Sequence, residues 1–222
     1  MNTLSPYYTN RRPEVARFLP ADLGSPRVLE IGCGAGIFRS NFISTKEYWG
    51  VEMSSDAAAL ASNSLEKVLV GTYRQVCADL PDNYFDCVVC ADVIEHMDDE
   101  VWFLEHIKTK MSSNSVLIGS IPNVRYVSNL ARLLIQRDWR YVDVGILDRT
   151  HQRFFTQKSL RRVLQEMGWT IEALQGINPL EIRRTSVDKM LLSAGLLALT
   201  AALGSDSRFF QFGFRIRANA RK

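Results

Sequence analysis

Apolar residues are distributed along this chain in short runs of strand length, separated by stretches with helical spacing. Val28, Leu29 and Ile31 make the first run, and Glu47–Glu52, Lys67–Val70, Phe85–Cys90 and Ser115–Ser120 make four more. Compact runs bounded by turns are what strands buried on both faces of a sheet require. Between and after them the period changes. Val101, Leu104, Ile107 and Met111 recur at spacings of 3, 3 and 4, while Leu160, Val163, Leu164 and Met167 fall at i, i+3, i+4 and i+7. These are helical stripes. Thr156 is a suitable N-cap for the second helix and Gly168 a suitable stop. Further helices are predicted from Pro13 through Leu19, over 36–43, from the alanine-rich Ala57 to Leu65, and over Val127 to Ile135. Thr170–Leu174 and the alternating Phe209–Ile216 read as two last strands. Strands and helices that alternate in this way predict an α/β fold with a parallel sheet.

Composition narrows the picture only a little. A chain of 222 residues that is 46% hydrophobic can bury a full core without disulfides, so one domain over 1–222 is expected. A net charge of +3 is too mild to argue for nucleic acid. The four cysteines form no framework of loop spacings, which fits a reducing compartment, and the start of the chain lacks the apolar core of a signal peptide. A cytoplasmic protein is therefore expected. Cys87 and Cys90 have the spacing of a redox or metal pair, but inside a strand their side chains point to opposite faces. No metal site is expected.

Chemistry enters after the first strand. Arg27 to Gly36 reads Arg-Val-Leu-Glu-Ile-Gly-Cys-Gly-Ala-Gly, with glycines at 32, 34 and 36. Glycine serves where backbone must turn sharply, take φ > 0, or let a ligand approach with no Cβ between. A strand running into such a turn and then a helix builds a nucleotide pocket at the carboxyl edge of a sheet. A dinucleotide fingerprint would place the third glycine at 37, where Ile37 stands, which argues against an NAD-dependent oxidoreductase.

The pattern Glu30-x-Gly32-x-Gly34-x-Gly36 resembles motif I of the class I S-adenosylmethionine (SAM) methyltransferases. That resemblance implies a Rossmann-like, seven-stranded, mostly parallel sheet with an antiparallel last strand and helices on both faces. It also implies SAM as cofactor, held by Glu30, Gly32, Cys33, Gly34 and Gly36. Glu52, sixteen residues past Gly36 and followed by Met53, matches the acidic residue that accepts ribose hydroxyls. The turn Gly71-Thr72 stands where the family usually carries Gly-Asp. For the adenine this leaves three candidates: the Thr72 position, a backbone carbonyl, or Asp79 reaching back. Ala91 and Asp92 line the methyl-donor pocket by the same resemblance. Near the start of the chain, Arg12 or one of Tyr7 and Tyr8 fits a role closing over the cofactor, and a solvated helix start fits equally well.

Two segments point to the acceptor. Asp92-Val-Ile-Glu-His96 looks like the post-strand segment of small-molecule methyltransferases, in which a histidine sits near the acceptor. Methyl transfer is an in-line displacement that needs alignment and exclusion of water, and a hydroxyl acceptor must also lose a proton, a task suited to imidazole. His96 is one candidate, with helix capping as its other reading; His106 lies off its helix's apolar stripe and is expected to be merely solvated. Gly145 to Thr156 resembles a segment of bacterial SAM methyltransferases associated with surface polysaccharide synthesis, and more loosely the Thr-His region of quinone O-methyltransferases. By that resemblance His151 is the first choice of acceptor-side base. Arg149 and Arg153 are then expected on the acceptor, with Asn123 beside it in Ser120-Ile-Pro-Asn123. An Asp148–arginine ion pair that only fixes the loop is the competing reading.

Elaborations on the acceptor side are expected at about 121–156 and 177–207. The second contains Met190 to Leu203, fourteen residues without a charge, preceded by Arg183, Arg184 and Lys189. That is short of the ~20 residues of a bilayer span, so the segment is expected to be a lid, a homodimer face or a peripheral membrane contact. The expected activity is methyl transfer from SAM to an oxygen or nitrogen of a small-molecule or glycan-type acceptor. An RNA methyltransferase is disfavoured by the absence of an Asn/Asp-Pro-Pro-Tyr/Phe segment after the fourth strand, and a non-catalytic SAM-binding partner subunit is the remaining alternative.

Overall fold

The computed structural model describes residues 10–181 and 187–219. Tyr7, Tyr8, Arg183 and Arg184 lie outside the described residues, as does the side chain of Lys189. A short helix α1 (Pro13–Ala16), with Pro13 pre-set for the first turn, precedes strand β1 (Arg27–Ile31). Then follow β2 (Glu47–Glu52), α2 (Ser55–Ala61), β3 (Lys67–Val70), α3 (Tyr73–Val76), β4 (Phe85–Ala91) and α4 (Glu100–Lys110). The chain continues through β5 (Met111–Pro122), α5 (Val127–Ala131), α6 (Gln157–Glu166), β6 (Trp169–Pro179), α7 (Val187–Leu203) and β7 (Phe209–Ala218). The seven strands form one sheet in the order β3-β2-β1-β4-β5-β7-β6. The first five are parallel, and β7 runs antiparallel to both β5 and β6. This is the expected Rossmann-like sheet.

Alternation within the buried strands sends side chains to two cores. Leu29, Ile31, Val88 and Cys90 pack with Phe103, Leu104 and Ile107 of α4 and Leu160 and Leu164 of α6. Val28, Cys87 and Val89 pack on the other side with Val15, Phe18, Phe38 and Ala61. Cys87 and Cys90 thus face opposite cores, and all four cysteines are free.

Four expected helices depart from their expected form: the one expected from Pro13 through Leu19 stops at Ala16, and two others end early for a local reason. After Gly36 there is only one tight turn, Ile37–Asn41, in which Ser40 Oγ donates to the Ile37 carbonyl and Asn41 Nδ2 to that of Phe38. Side chains that bond nearby carbonyls offer the backbone an alternative to helix. Ser62, Asn63 and Ser64 do the same at the end of α2, which stops at Ala61. The helix expected over 127–135 becomes a π-helical turn at Arg132–Gln136 and ends at Arg137, whose φ is 56°. His106 is another correction: Tyr73 Oη lies 2.9 Å from its Nδ1 and its ring stacks on Trp102, so it is paired rather than simply solvated.

The apolar insertion folds as α7, which lies against α5 and leaves Met190 and Leu191 exposed. Among the described residues no helix is long and apolar enough to cross a membrane.

Candidate active site

The carboxyl ends of β1, β2, β3 and β4 open onto a cavity of about 950 Å³, a size that suits a cofactor together with part of an acceptor. Its floor is the glycine turn. Gly32 and Gly34 have φ of 70° and 53°, in the left-handed region that favours glycine. A Cβ on Gly32 would come within 2.8 Å of Val93 Cγ2. Glu52, at the end of β2, receives the Gly34 N–H on Oε2 and the Ser54 N–H on Oε1, both at 2.9 Å. This carboxylate therefore shapes the turn while keeping lone pairs free for ribose hydroxyls. Beneath it Glu30 is buried and accepts from Tyr48 Oη at 2.8 Å. Burial pushes the Glu30 carboxyl up to about 8.

Arg12 reaches the cavity from the turn before α1. Its guanidinium donates to Asp92 Oδ2 at 2.7 Å, Glu14 Oε1 at 2.8 Å and Ser120 Oγ at 3.1 Å. Asp92 also accepts from Ser120 Oγ and from Gln211 Nε2. A guanidinium beside a carboxylate offers donors to an amino acid's own carboxylate and an acceptor to its ammonium group. Of the expected cofactor residues, Arg12, Glu30, Gly32, Cys33, Gly34, Glu52, Met53, Thr72, Ala91 and Asp92 line the cavity. Gly36 does not: it is a packing position, where a Cβ would lie 2.9 Å from Ser64 Oγ and 3.2 Å from Leu65 Cγ.

Thr72 lies at the wall, but its hydroxyl donates to Gln75 Oε1 and accepts the Gln75 N–H, capping α3. Asp79 is exposed and absent from the cavity wall. Asp98, Asp99 and Trp102 line the cavity beside Thr72 without a motif to announce them.

At the other end stands the segment after β4. His96 lines the cavity together with Arg149, Thr150 and Gln152. These loop residues are carried in by buried Ile146, Leu147 and Phe155 and anchored by the Gln152 N–H on the Glu95 carbonyl at 2.8 Å. Burial, and then His151 nearby, lower the His96 pKa, which keeps its imidazole neutral at pH 7. His151 lies behind it, with ring centroids 4.6 Å apart, and is not on the cavity wall. Its Nδ1 is 3.0 Å from the Ile146 carbonyl, an acceptor, so Nδ1 carries the proton.

Glu95 went unassigned in the sequence. It is 1% exposed, neither carboxylate oxygen has a hydrogen-bond partner among the described residues, and His151 Nε2 lies 4.0 Å from Oε1. Burial, and then the Asp92 charge, raise its pKa well above the carboxylate range. Although Glu95, His96 and His151 follow no metal-ligand spacing along the chain, the fold brings ligand atoms of the three within 4.8 Å of one another. A carboxylate and two imidazoles so placed can share a proton or hold a divalent cation.

The expected acceptor residues divide. Arg149 reaches the wall and pairs with Asp143 at 2.9 Å. Arg153 turns away to pair with Glu100 at 3.0 Å and to bond the Asp98 carbonyl. Asn123 is fully buried off the cavity, its amide donating to the Asp206 and Phe209 carbonyls and accepting the Arg125 N–H. Asp148 meets Thr150, not an arginine.

The glycine turn, the acidic end of β2 and the sheet order together define a class I methyltransferase site. Comparison with known proteins agrees: a methyltransferase-domain family model matches residues 8–174. The chain belongs to that family, the SAM-dependent class I methyltransferases. It is similar to a ubiquinone biosynthesis O-methyltransferase of Rhodopseudomonas palustris, 30% identical with 78% of this chain and 68% of the relative covered. The mitochondrial ubiquinone biosynthesis O-methyltransferase of Schizosaccharomyces pombe is 28% identical over 73% of this chain, which spans only 62% of that relative. In fold it is similar to a SAM-dependent methyltransferase from Archaeoglobus fulgidus, with a TM-score of 0.62, 19% identity, and 93% of this chain and 94% of that one covered.

Proposed function

We propose that this domain moves the methyl group of SAM to an aromatic hydroxyl of a small molecule, with His96 as the base that receives the hydroxyl proton. The observation that carries this reading is His96 itself: a neutral imidazole on the wall of the cofactor cavity. A phenolic hydroxyl, with a pKa of about 10 as in tyrosine, is the hydroxyl class whose proton a neutral imidazole can most readily take. An aliphatic hydroxyl holds its proton far more tightly, which disfavours a glycan acceptor for a single imidazole. The name shared by the curated relatives likewise favours a small-molecule oxygen over a polysaccharide or a nitrogen.

The remaining roles follow from position. Arg12 and Asp92 receive the carboxylate and ammonium of the cofactor's methionine part, and Glu52 receives the ribose hydroxyls. The wall of Thr72, Asp98 and Trp102 receives the adenine. The methyl carbon then points past Asp92 toward His96, and Arg149 guides the acceptor. His151, first choice in the sequence, becomes a support behind His96. Catalysis here is mostly positioning, with water excluded and one proton removed.

The test is incubation with isotope-labelled SAM and a panel of catechols, simple phenols, amines and oligosaccharides, followed by mass spectrometry of products. An O-methyl catechol or phenol is expected. Products confined to amines or sugars would overturn the reading. SAM binding without transfer to any member or to a cell extract would leave a non-catalytic SAM-binding subunit.

A further inference from the structure

The hydrogen bonds around Thr150 determine which nitrogen of His96 carries a proton. Thr150 Oγ1 lies 2.6 Å from Asp148 Oδ1 and 3.0 Å from His96 Nδ1. A hydroxyl has one proton, and an ionised carboxylate can only accept. The Thr150 proton is therefore committed to Asp148, which is fixed in turn by the Thr150 N–H at 2.8 Å on the same oxygen. The hydroxyl oxygen is left as an acceptor facing Nδ1, so Nδ1 is protonated and Nε2 holds the lone pair. Among the described residues no other hydrogen bond to the ring selects a tautomer: the remaining hydrogen bonds of His96 are on its backbone, its N–H donating to the Val93 carbonyl and its carbonyl accepting from Gln152 Nε2.

We propose that Asp148 and Thr150 are positioning residues for methyl transfer, holding His96 in the Nδ1–H tautomer with Nε2 as its proton-accepting atom. The inference rests on the reading of His96 as the acceptor-side base. It also gives the Thr150-His151 pair a division of labour: Thr150 orients one imidazole, and His151, its own Nδ1 tied to the Ile146 carbonyl, packs against it. A base in the wrong tautomer presents a hydrogen where a lone pair is needed, and loss of an orienting carboxylate of this kind is costly in other enzymes.

The test compares wild type with Thr150→Val, which keeps the shape and removes the hydroxyl, and Thr150→Ser, which restores it, alongside Asp148→Asn. Nitrogen-15 chemical shifts of the His96 ring in the SAM-free protein report the tautomer directly. Steady-state methylation of catechol reports the consequence. The expected result is an Nδ1–H ring in wild type and Thr150→Ser and a tautomer mixture in Thr150→Val. The valine variant should lose about ten- to a hundred-fold in kcat, as removal of an orienting partner typically does, with KM for SAM unchanged. A wild-type ring protonated on Nε2, or a folded Thr150→Val with the wild-type tautomer, would overturn the proposal. An Nδ1–H ring lost in Thr150→Val together with a fully active His96→Ala would instead defeat the base assignment and leave the tautomer link intact.

Discussion

Arg12 and Asp92 are eighty residues apart in sequence, both in left-handed backbone at φ of 52° and 55°, and joined by a 2.7 Å ion pair at the cavity edge. Such backbone costs a non-glycine residue roughly 1–2 kcal/mol. Here it is held by Asn10, Glu14, Ser120 and Gln211 around the pair. The cofactor's charged end would meet groups already aligned. Arg12→Ala is expected to weaken SAM binding by about ten- to a hundred-fold, the range for one or two charge-assisted hydrogen bonds. Arg12→Lys should recover only part, because an ammonium cannot bridge two carboxylates with a rigid fork. Calorimetric affinity unchanged in Arg12→Ala would remove the residue from the cofactor site.

Gly34 lines the cavity, takes φ of 53° and gives its N–H to Glu52. A valine there strains the turn and places two methyl groups beside the ligand path. Gly34→Val is expected to keep the far-ultraviolet circular dichroism of the fold and to lose measurable SAM binding. A folded variant with wild-type affinity would contradict the placement of SAM on this turn.

The parts of this molecule that could be read from sequence are those in which local pattern and tertiary role coincide. The buried runs of β1, β2 and β4 need apolar side chains on both faces, and Gly32 and Gly34 need left-handed backbone, so both announce themselves. Glu52 is legible because it closes a strand whose neighbour is the glycine turn. The acceptor side is different. Asn123 sits near the expected segment, but its amide is consumed by the carbonyls of Asp206 and Phe209, more than eighty residues away. Arg153 is claimed by Glu100, and Glu95 becomes notable only because the fold buries it beside His151 with no hydrogen bond to its carboxylate among the described residues. Such roles are decided by long-range contacts that no spacing along the chain encodes. The shortened helices after Gly36 and Ala61 were legible in principle, through the runs Ser40-Asn41 and Ser62-Asn63-Ser64.

His96 and His151 should separate in kinetics. His96→Ala is expected to lower kcat for catechol methylation by about 10²–10⁴, the usual size of a general-base effect. His151→Ala, one layer further from the cavity, should cost about tenfold, in the range of lost orienting contacts. Both should bind SAM normally. The reverse order of losses would return the base role to His151.

Asn123→Ala tests structure against substrate binding. The fully buried amide ties the turn after β5 to the strand entry at Phe209 with three hydrogen bonds. Removing it strands two carbonyls and one N–H, at about 1–3 kcal/mol for each group left unpaired. The variant is expected to melt several degrees lower, with its KM for catechol close to wild type. A raised KM at unchanged stability would place Asn123 on the acceptor after all.

Glu30 provides a pH signature that is independent of any acceptor. Its carboxyl is pushed up to about 8 in the folded chain, from 4.5 in the reference state. Between these values the folded state holds a proton that the unfolded state has released, so stability must fall as pH rises. The contribution is complete below 4.5 and gone above about 8, with a slope of at most about 1.4 kcal/mol per pH unit for one proton. Glu95, raised for the same reason, adds a slope of the same sign. Glu30→Gln keeps an acceptor for Tyr48 Oη while removing the titration, so the difference between the two proteins isolates this residue. Urea unfolding of the SAM-free protein at pH 5, 6, 7 and 8 is expected to show a steeper decline for wild type than for Glu30→Gln, with the variant relatively more stable at pH 8. Parallel pH profiles for the two proteins would mean that Glu30 is already ionised in the folded state.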